Sequence, residues 1–232
     1  MKPATRMVVA KSDKLVASLK EAVRLLRPRI VIETGTYLGE GSTQAILRAL
    51  DQRQPEIFYT LEVSWKYCEQ ARSNLSRFPF VRCLWGLSSS KQGAIKFVET
   101  DPFLNELDPA LDIFVDFLPD PVAGYLNELR GGLGDERDLG APEGLLAPLL
   151  TKHKADRPLI CLDSAGGLGW LEFQEVHREL DGSVFGLFLD DINHVKHYRS
   201  KLAVERSDEF TVIDSDWEEG WMVAVHGAAA AR

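Results

Sequence analysis

The feature that most narrows what this chain can become is a rhythm of short apolar runs, each followed by a segment of helical periodicity. The runs are Arg29–Glu33, Glu56–Glu62, Phe80–Trp85, Pro158–Asp163 and Val184–Asp190. They are too short for buried helices and apolar on both faces, as strands of a parallel sheet covered on both sides must be. Lys14–Leu26 spaces Leu15, Leu19, Val23 and Leu26 by four, four and three residues. Thr43–Leu50, Lys66–Leu75, Lys91–Val98, Leu171–Leu180 and His194–Val204 carry further helical patterns. Phe210–Asp214 and Trp221–His226 flank Ser215–Gly220 and predict a β-hairpin. The expected architecture is α/β, a Rossmann-like doubly wound sheet of seven strands, parallel apart from the terminal hairpin. A single domain over residues 1–232 accommodates it, with residues 100–157 as an insertion between the third and fourth strands.

Charge locates that insertion. The net charge is −8, yet Glu99–Glu143 holds 12 acids against 2 bases, a local −10 that leaves the remainder at +2. The same stretch contains five prolines and five glycines. No basic stripe is present, so a nucleic-acid partner is not expected. Cys68, Cys83 and Cys161 are odd in number and lack CxxC or Cys/His spacing, which argues against a disulfide framework and a cysteine zinc site. No apolar stretch approaches ~18 residues and the first thirty residues lack a leader pattern, so the expectation is a cytoplasmic protein without a membrane partner.

In doubly wound sheets, ligands bind beyond the carboxyl ends of the strands. There the chain reads Glu33-Thr-Gly35-Thr-Tyr37-Leu-Gly39-Glu-Gly41-Ser42-Thr43, an E-x-G-x-x-x-G-x-G pattern opening a helix. Glycines admit positive φ and close approach of a ligand to the backbone. A dinucleotide fingerprint would space them G-x-G-x-x-G, and an acid at the strand end suits an amino-bearing ligand better than a phosphate. Glu62 ends the second strand, where a carboxylate can accept both hydroxyls of a ribose. The plain alternative is an ordinary βα turn, which three glycines in seven residues plus two strand-end acids disfavour.

At these residues the chain resembles the class I S-adenosylmethionine-dependent methyltransferases, whose first motif has this form. The resemblance spans roughly Leu15 to His226, interrupted by the acidic segment, and implies S-adenosylmethionine as cofactor. It implies Glu33 near the methionine amino group, with Gly35, Tyr37, Gly39, Gly41 and Ser42 along the cofactor. It further implies Glu62 and Val63 at the ribose, and Gly86, Leu87 and Ser88 beside the adenine. The family often has an acid where this chain has Leu87.

Asp163 closes the fourth strand, and Asp190-Asp191 the fifth. Three carboxylates converging at one sheet end repel unless a cation or a proton relieves them. Oxygen-only ligation suits Mg²⁺, which could bind and acidify an acceptor hydroxyl. This arrangement is similar to the metal-dependent O-methyltransferases of the catechol and macrolide-sugar types. The similarity implies Asp163, Asp190 and Asp191 as metal ligands, with Asp163 also at the cofactor. In the sugar-modifying enzymes a second acid follows the strand-four Asp by two residues. Here Ala165 stands there, in a glycine-rich run that includes Gly166 and Gly167. The alternative for the acid pair is helix capping, although Asn193 already suits that role. His194 and His197 are candidate general bases. Lys196 beside them reads as an exposed first-turn residue, while His153, His177 and His226 read as structural.

Within the insertion, Asp120-Pro121 predicts a helix start, and Val122, Tyr125, Leu126 and Leu129 a stripe ended by Gly131-Gly132. Leu107, Leu111, Phe114 and Leu118 suit a helix face, though Ile113, Val115 and Phe117 alternate like a strand. The insertion reads as a cap that sets substrate choice or, alternatively, as a homodimer contact or solvated decoration. Function reads first as methyl transfer to a small-molecule hydroxyl, with Asp163 and His194 or His197 catalytic. The alternatives are a catalytically degenerate cofactor-binding or regulatory module and a nucleotide-dependent oxidoreductase, the latter disfavoured by the glycine spacing.

Overall fold

In the computed structural model, which describes residues 1–3, 12–131, 136–164 and 167–227, the alternation becomes one seven-stranded sheet with helices on both faces. Its strands are β1 (Ile30–Thr34), β2 (Ile57–Glu62), β3 (Val81–Trp85), β4 (Leu159–Leu162), β5 (Phe185–Asp190), β6 (Phe210–Asp216) and β7 (Trp221–His226). They lie in the order β3-β2-β1-β4-β5-β7-β6. The first five are parallel, and β7 runs antiparallel to both β5 and β6. From β1 the chain winds outward to β2 and β3, then restarts at β4 on the other side. The switch point therefore lies between β1 and β4, where the loops beyond them part.

The helices are α1 (Asp13–Leu26), α2 (Ser42–Ala49), α3 (Trp65–Asn74), α4 (Lys91–Thr100), α5 (Pro102–Asn105), α6 (Pro121–Gly131), α7 (Leu146–Lys152), α8 (Gly169–Glu179) and α9 (Tyr198–Arg206). Alternate strand residues feed two cores. Val31, Phe58, Cys161, Phe188 and Val223 pack with the apolar faces of α1, α2 and α3. Ile32, Leu61, Ile160, Leu187 and Met222 pack with α7, α8 and α9. Leu15, Leu19, Val23 and Leu26 are all buried, as their spacing requires. Ser12 caps α1 by accepting the Leu15 amide at 3.2 Å, a contact worth about 1 kcal/mol.

The structure departs from the sequence reading in two places near the site. Helix α9 starts at Tyr198 rather than His194, because residues 191–197 form a turn tied to the hairpin. Ile192 N donates to Gly220 O at 2.8 Å, and the Asn193 side chain donates to Trp217 O at 2.8 Å, so Asn193 is not a helix cap. In the insertion no helix spans Leu107–Leu118. Phe114–Val115 instead forms a two-residue parallel ladder with Lys2–Pro3, as the Ile113/Val115 alternation implied. Phe114 N donates to Asn193 O (2.8 Å) and Val195 N to Phe114 O (2.9 Å). Helix α6 does begin after Asp120, whose carboxylate accepts the Ala123 amide at 3.0 Å.

A third apolar cluster joins Ala94, Val98, Leu104, Ile113, Val115 and Tyr125 to Leu168 and Val195. The insertion thus shares a core with the loops that follow β4 and β5. Gly132, Ala165, Gly166 and the alanine-rich tail after Gly227 lie outside the described residues. Cys68 and Cys83, 15 residues apart in sequence, meet in the core with their sulfurs 3.3 Å apart, and all three cysteines are free thiols. Among the described residues, no helix is long and apolar enough to cross a membrane.

Candidate active site

Glu33, the fourth residue of β1, is fully buried. Its carboxyl group meets three hydroxyls: Ser42 Oγ at 3.0 Å, Thr43 Oγ1 at 2.8 Å and Thr60 Oγ1 at 2.6 Å. Burial pushes its pKa up to about 7 against the lowering pull of these hydroxyls. Ser42 Oγ also lies 2.9 Å from Asp163 Oδ2. The Ser42 hydroxyl thus stands as a donor between two carboxyl groups, those of Glu33 and Asp163. Glu33 therefore braces the start of α2 against β2 and β4.

The glycine turn itself is shaped by the protein. Gly35 has φ +82°, and a Cβ there would lie 2.1 Å from Asp163 O, so β1 and β4 pass too closely for any side chain. A Cβ on Gly39 would lie 2.9 Å from the Leu75 side chain. Gly41 caps α2 at φ −92°, ψ −114°. Tyr37 has φ +50°, exposes its ring beside Tyr67, and donates its amide to Glu62 Oε2 at 2.6 Å.

Glu62 Oε1 accepts the Ser64 amide at 2.9 Å, and burial pushes the carboxyl up to about 7 against these amides. Val63 O accepts Trp85 Nε1 at 3.0 Å. Beyond β3, Gly86 has φ +151°, and a Cβ there would lie 2.6 Å from Pro142 O. Leu87 N donates to Pro142 O at 2.8 Å, and Leu145 N returns to Leu87 O at 3.1 Å. Pro142 and Leu145 of the insertion thus zip against the segment expected beside an adenine. Ser88 Oγ bonds Glu172.

Glu172 and Lys196 are the functional-site residues that sequence reasoning missed. Glu172 stands in the first turn of α8, where an acid is unremarkable in sequence. It is fully buried, accepts Thr34 Oγ1 at 2.9 Å, and is raised above the ordinary glutamate range by burial. Lys196 is only 6% exposed, not a solvated residue. Its ammonium lies 2.6 Å from Asp191 Oδ2 and 3.1 Å from Asp163 Oδ1. Burial pulls its pKa down, but Asp191, Asp163 and Asp190 outweigh it and hold the amine above the ordinary lysine value.

This ammonium competes with the expected metal ligation. Asp163, Asp190 and Asp191 do not fit a divalent ion, because a buried ammonium already lies among them and a second cation would be repelled. Their ligand atoms also do not gather. Among the described residues, the one trio with ligand atoms within 4.8 Å of one another is His177, Glu209 and His226. Asp190 Oδ1 instead accepts the Asp191 amide at 3.1 Å, and Asp191 sits at φ +62° in a tight turn.

The two candidate bases differ. His197 is fully buried, with Nδ1 3.2 Å from Ser200 Oγ, and burial holds its pKa well below the ordinary histidine value. A Cβ on Gly169 would lie 2.5 Å from its ring. It packs into the core against Gly169 and Ser200, a setting that does not suit a general base. His194 Nδ1 accepts the Lys196 amide at 3.1 Å, which leaves the proton on Nε2, 3.4 Å from Asp116 Oδ2 in the insertion. Burial raises the Asp116 pKa, but hydrogen bonds from His194 and Tyr125 and the nearby Lys196 charge outweigh it and hold Asp116 below the ordinary value. Tyr125 Oη donates to the same carboxylate at 3.2 Å. The insertion therefore grips the turn that carries Lys196.

No family model matches the sequence, and no curated protein matches it. Solved structures do match in fold. The O-methyltransferase TomG from Streptomyces achromogenes, involved in tomaymycin synthesis and solved in complex with SAM, is 14% identical at a TM-score of 0.51. The match covers 95% of this chain and 82% of that one. The cofactor-bound protein Rv0187 from MTB is 16% identical at 0.51, covering 95% and 81%. This chain shares their Rossmann-like sheet with its antiparallel terminal strands.

Proposed function

From the fold of a class I S-adenosylmethionine-dependent O-methyltransferase, we propose that this chain methylates a hydroxyl of a small molecule. One observation carries the proposal. The glycine turn after β1 is pinned by the Tyr37 amide to the strand-end Glu62, at the switch point of the sheet. A carboxylate offers about four acceptor directions. The Tyr37, Ser64 and Val63 amides orient Glu62, and the acceptor capacity it retains suits a ribose hydroxyl. When bound, S-adenosylmethionine supplies an electrophilic methyl group.

The chain's own residues handle the acceptor. The Asp163 side chain keeps 21% of its surface open, and its Oδ1 is the atom that takes the hydroxyl proton. The Lys196 ammonium beside it donates to the acceptor oxygen as negative charge develops there, the role expected earlier of Mg²⁺. His194 positions this pair by holding the Lys196 amide on one side and Asp116 on the other. The −10 charge of the neighbouring Glu99–Glu143 stretch favours neutral or cationic acceptors over anionic ones.

Calorimetry with S-adenosylmethionine, followed by transfer of its labelled methyl to paired neutral and anionic hydroxyl compounds, tests this reading. Binding with turnover of the neutral member supports it, and no binding overturns it. A second reading, a module that binds cofactor without catalysis, draws on Leu87 N being taken by Pro142 O and on Glu33 being spent on three hydroxyls. Binding without transfer to any hydroxyl would favour that second reading.

A further inference from the structure

At the amino end of the parallel strands, away from the glycine turn, three residues from separate elements converge. His177 comes from the last turn of α8, Glu209 directly precedes β6, and His226 ends β7. His226 pairs with Phe185, the first residue of β5, while Asp190 ends that strand. A strand rise of about 3.4 Å puts the two ends roughly 17 Å apart.

The geometry demands a positive charge between these groups. His226 Nδ1 lies 2.8 Å from Ser183 O, and a carbonyl can only accept, so Nδ1 carries a proton. In the neutral ring, Nε2 then presents a lone pair. It faces Glu209 Oε2 at 3.5 Å, and His177 Nε2 lies 3.6 Å from the same oxygen. A lone pair opposite a carboxylate is repulsive unless a proton or a metal ion lies between.

We propose that His177, Glu209 and His226 bind a Zn²⁺ ion that staples α8 to the β6–β7 hairpin. Zinc bonds of about 2.0–2.1 Å set tetrahedral ligand atoms roughly 3.4 Å apart, close to both observed separations. Two imidazoles and one carboxylate suit zinc rather than Mg²⁺ or Ca²⁺, and leave a fourth position for water. The Ser183 carbonyl is the outer partner that fixes the tautomer of a ligating histidine. The His226 ring is held rigidly, 4% exposed, with Phe185 stacked at 4.6 Å and Phe210 edge-on at 4.8 Å. The other two ligands are exposed and can close the remaining distance. A groove of about 380 Å³ lined by Trp170, Phe173 and Phe210 also borders His177.

The test is Zn²⁺ titrated into the full chain after stripping with EDTA, read by calorimetry and by thermal unfolding. One saturable site per chain is expected, with a midpoint that rises with Zn²⁺ and not with Mg²⁺. His177→Ala and Glu209→Gln, both at exposed positions, should each weaken binding beyond the roughly 10–100-fold cost of losing an outer partner. Absence of saturable binding would overturn the proposal. Binding that persists undiminished in the double variant would also overturn it, by assigning the ion to other residues.

Discussion

Lys196 Nζ lies 3.1 Å from Asp163 Oδ1, joining the end of β4 to the turn after β5 through an ion pair whose ammonium is buried. The cation that relieves the strand-end aspartates is thus built into the chain. Removing one partner of a buried pair leaves the other charge uncompensated, which typically costs 3–5 kcal/mol. Lys196→Met should therefore lower unfolding free energy by about 3 kcal/mol in urea titrations, with methyl transfer falling further than stability accounts for. A variant as stable as the parent would show that the pair carries no weight.

The same arrangement predicts that the proposed methyl transfer does not need magnesium. Adding Mg²⁺ to EDTA-treated protein should leave the initial rate of methyl transfer unchanged, because Lys196 holds the position such an ion would need. A rate that rises and saturates with Mg²⁺ would require the lysine to leave the aspartates.

Glu33 should set part of the pH dependence of stability. The folded chain holds its proton up to about pH 7, whereas an exposed glutamate releases it near 4.5. Between those values the folded state binds more protons than the unfolded one, so stability falls as pH rises through the window. The drop from this group is on the order of 3 kcal/mol. Unfolding midpoints of Glu33→Gln measured from pH 4.5 to 7 should show a flatter profile than the parent. Glu62 contributes in the same direction, so a residual slope should remain.

Gly35 and Gly182 form a matched comparison. Both have positive φ, +82° and +68°, but a Cβ on Gly35 would lie 2.1 Å from Asp163 O whereas nothing lies within 4 Å at Gly182. Gly182→Ala should cost only the left-handed penalty of about 1–2 kcal/mol. Gly35→Ala should cost more by thermal unfolding, and should also weaken cofactor binding by moving β1 from β4. Equal costs at the two positions would mean that the close approach relaxes freely.

The strands and most helices were legible because their signals are local. Apolar runs and periodic stripes report which faces are buried, and Asp120-Pro121 reports where α6 begins. The turn after β5 was not legible. The Asn193-His194 stretch looks like a helix start until Gly220, Trp217 and Phe114, distant in sequence, claim its polar groups. In the insertion, helix and strand patterns overlapped over Leu107–Leu118, and pairing with Lys2–Pro3, distant in sequence, made Phe114–Val115 a strand.

By itself, the sequence determined the doubly wound sheet, the glycine turn after β1, and the acids that close β1, β2, β4 and β5. These follow from periodicity and spacing within short windows. Only the tertiary structure decided which charges are buried and with whom. It placed Lys196 among the aspartates, buried Glu172 beneath Thr34 and Ser88, and brought His177, Glu209 and His226 together. Burial and pairing depend on distances between residues far apart in the chain, and those distances exist only once the two cores close over the sheet.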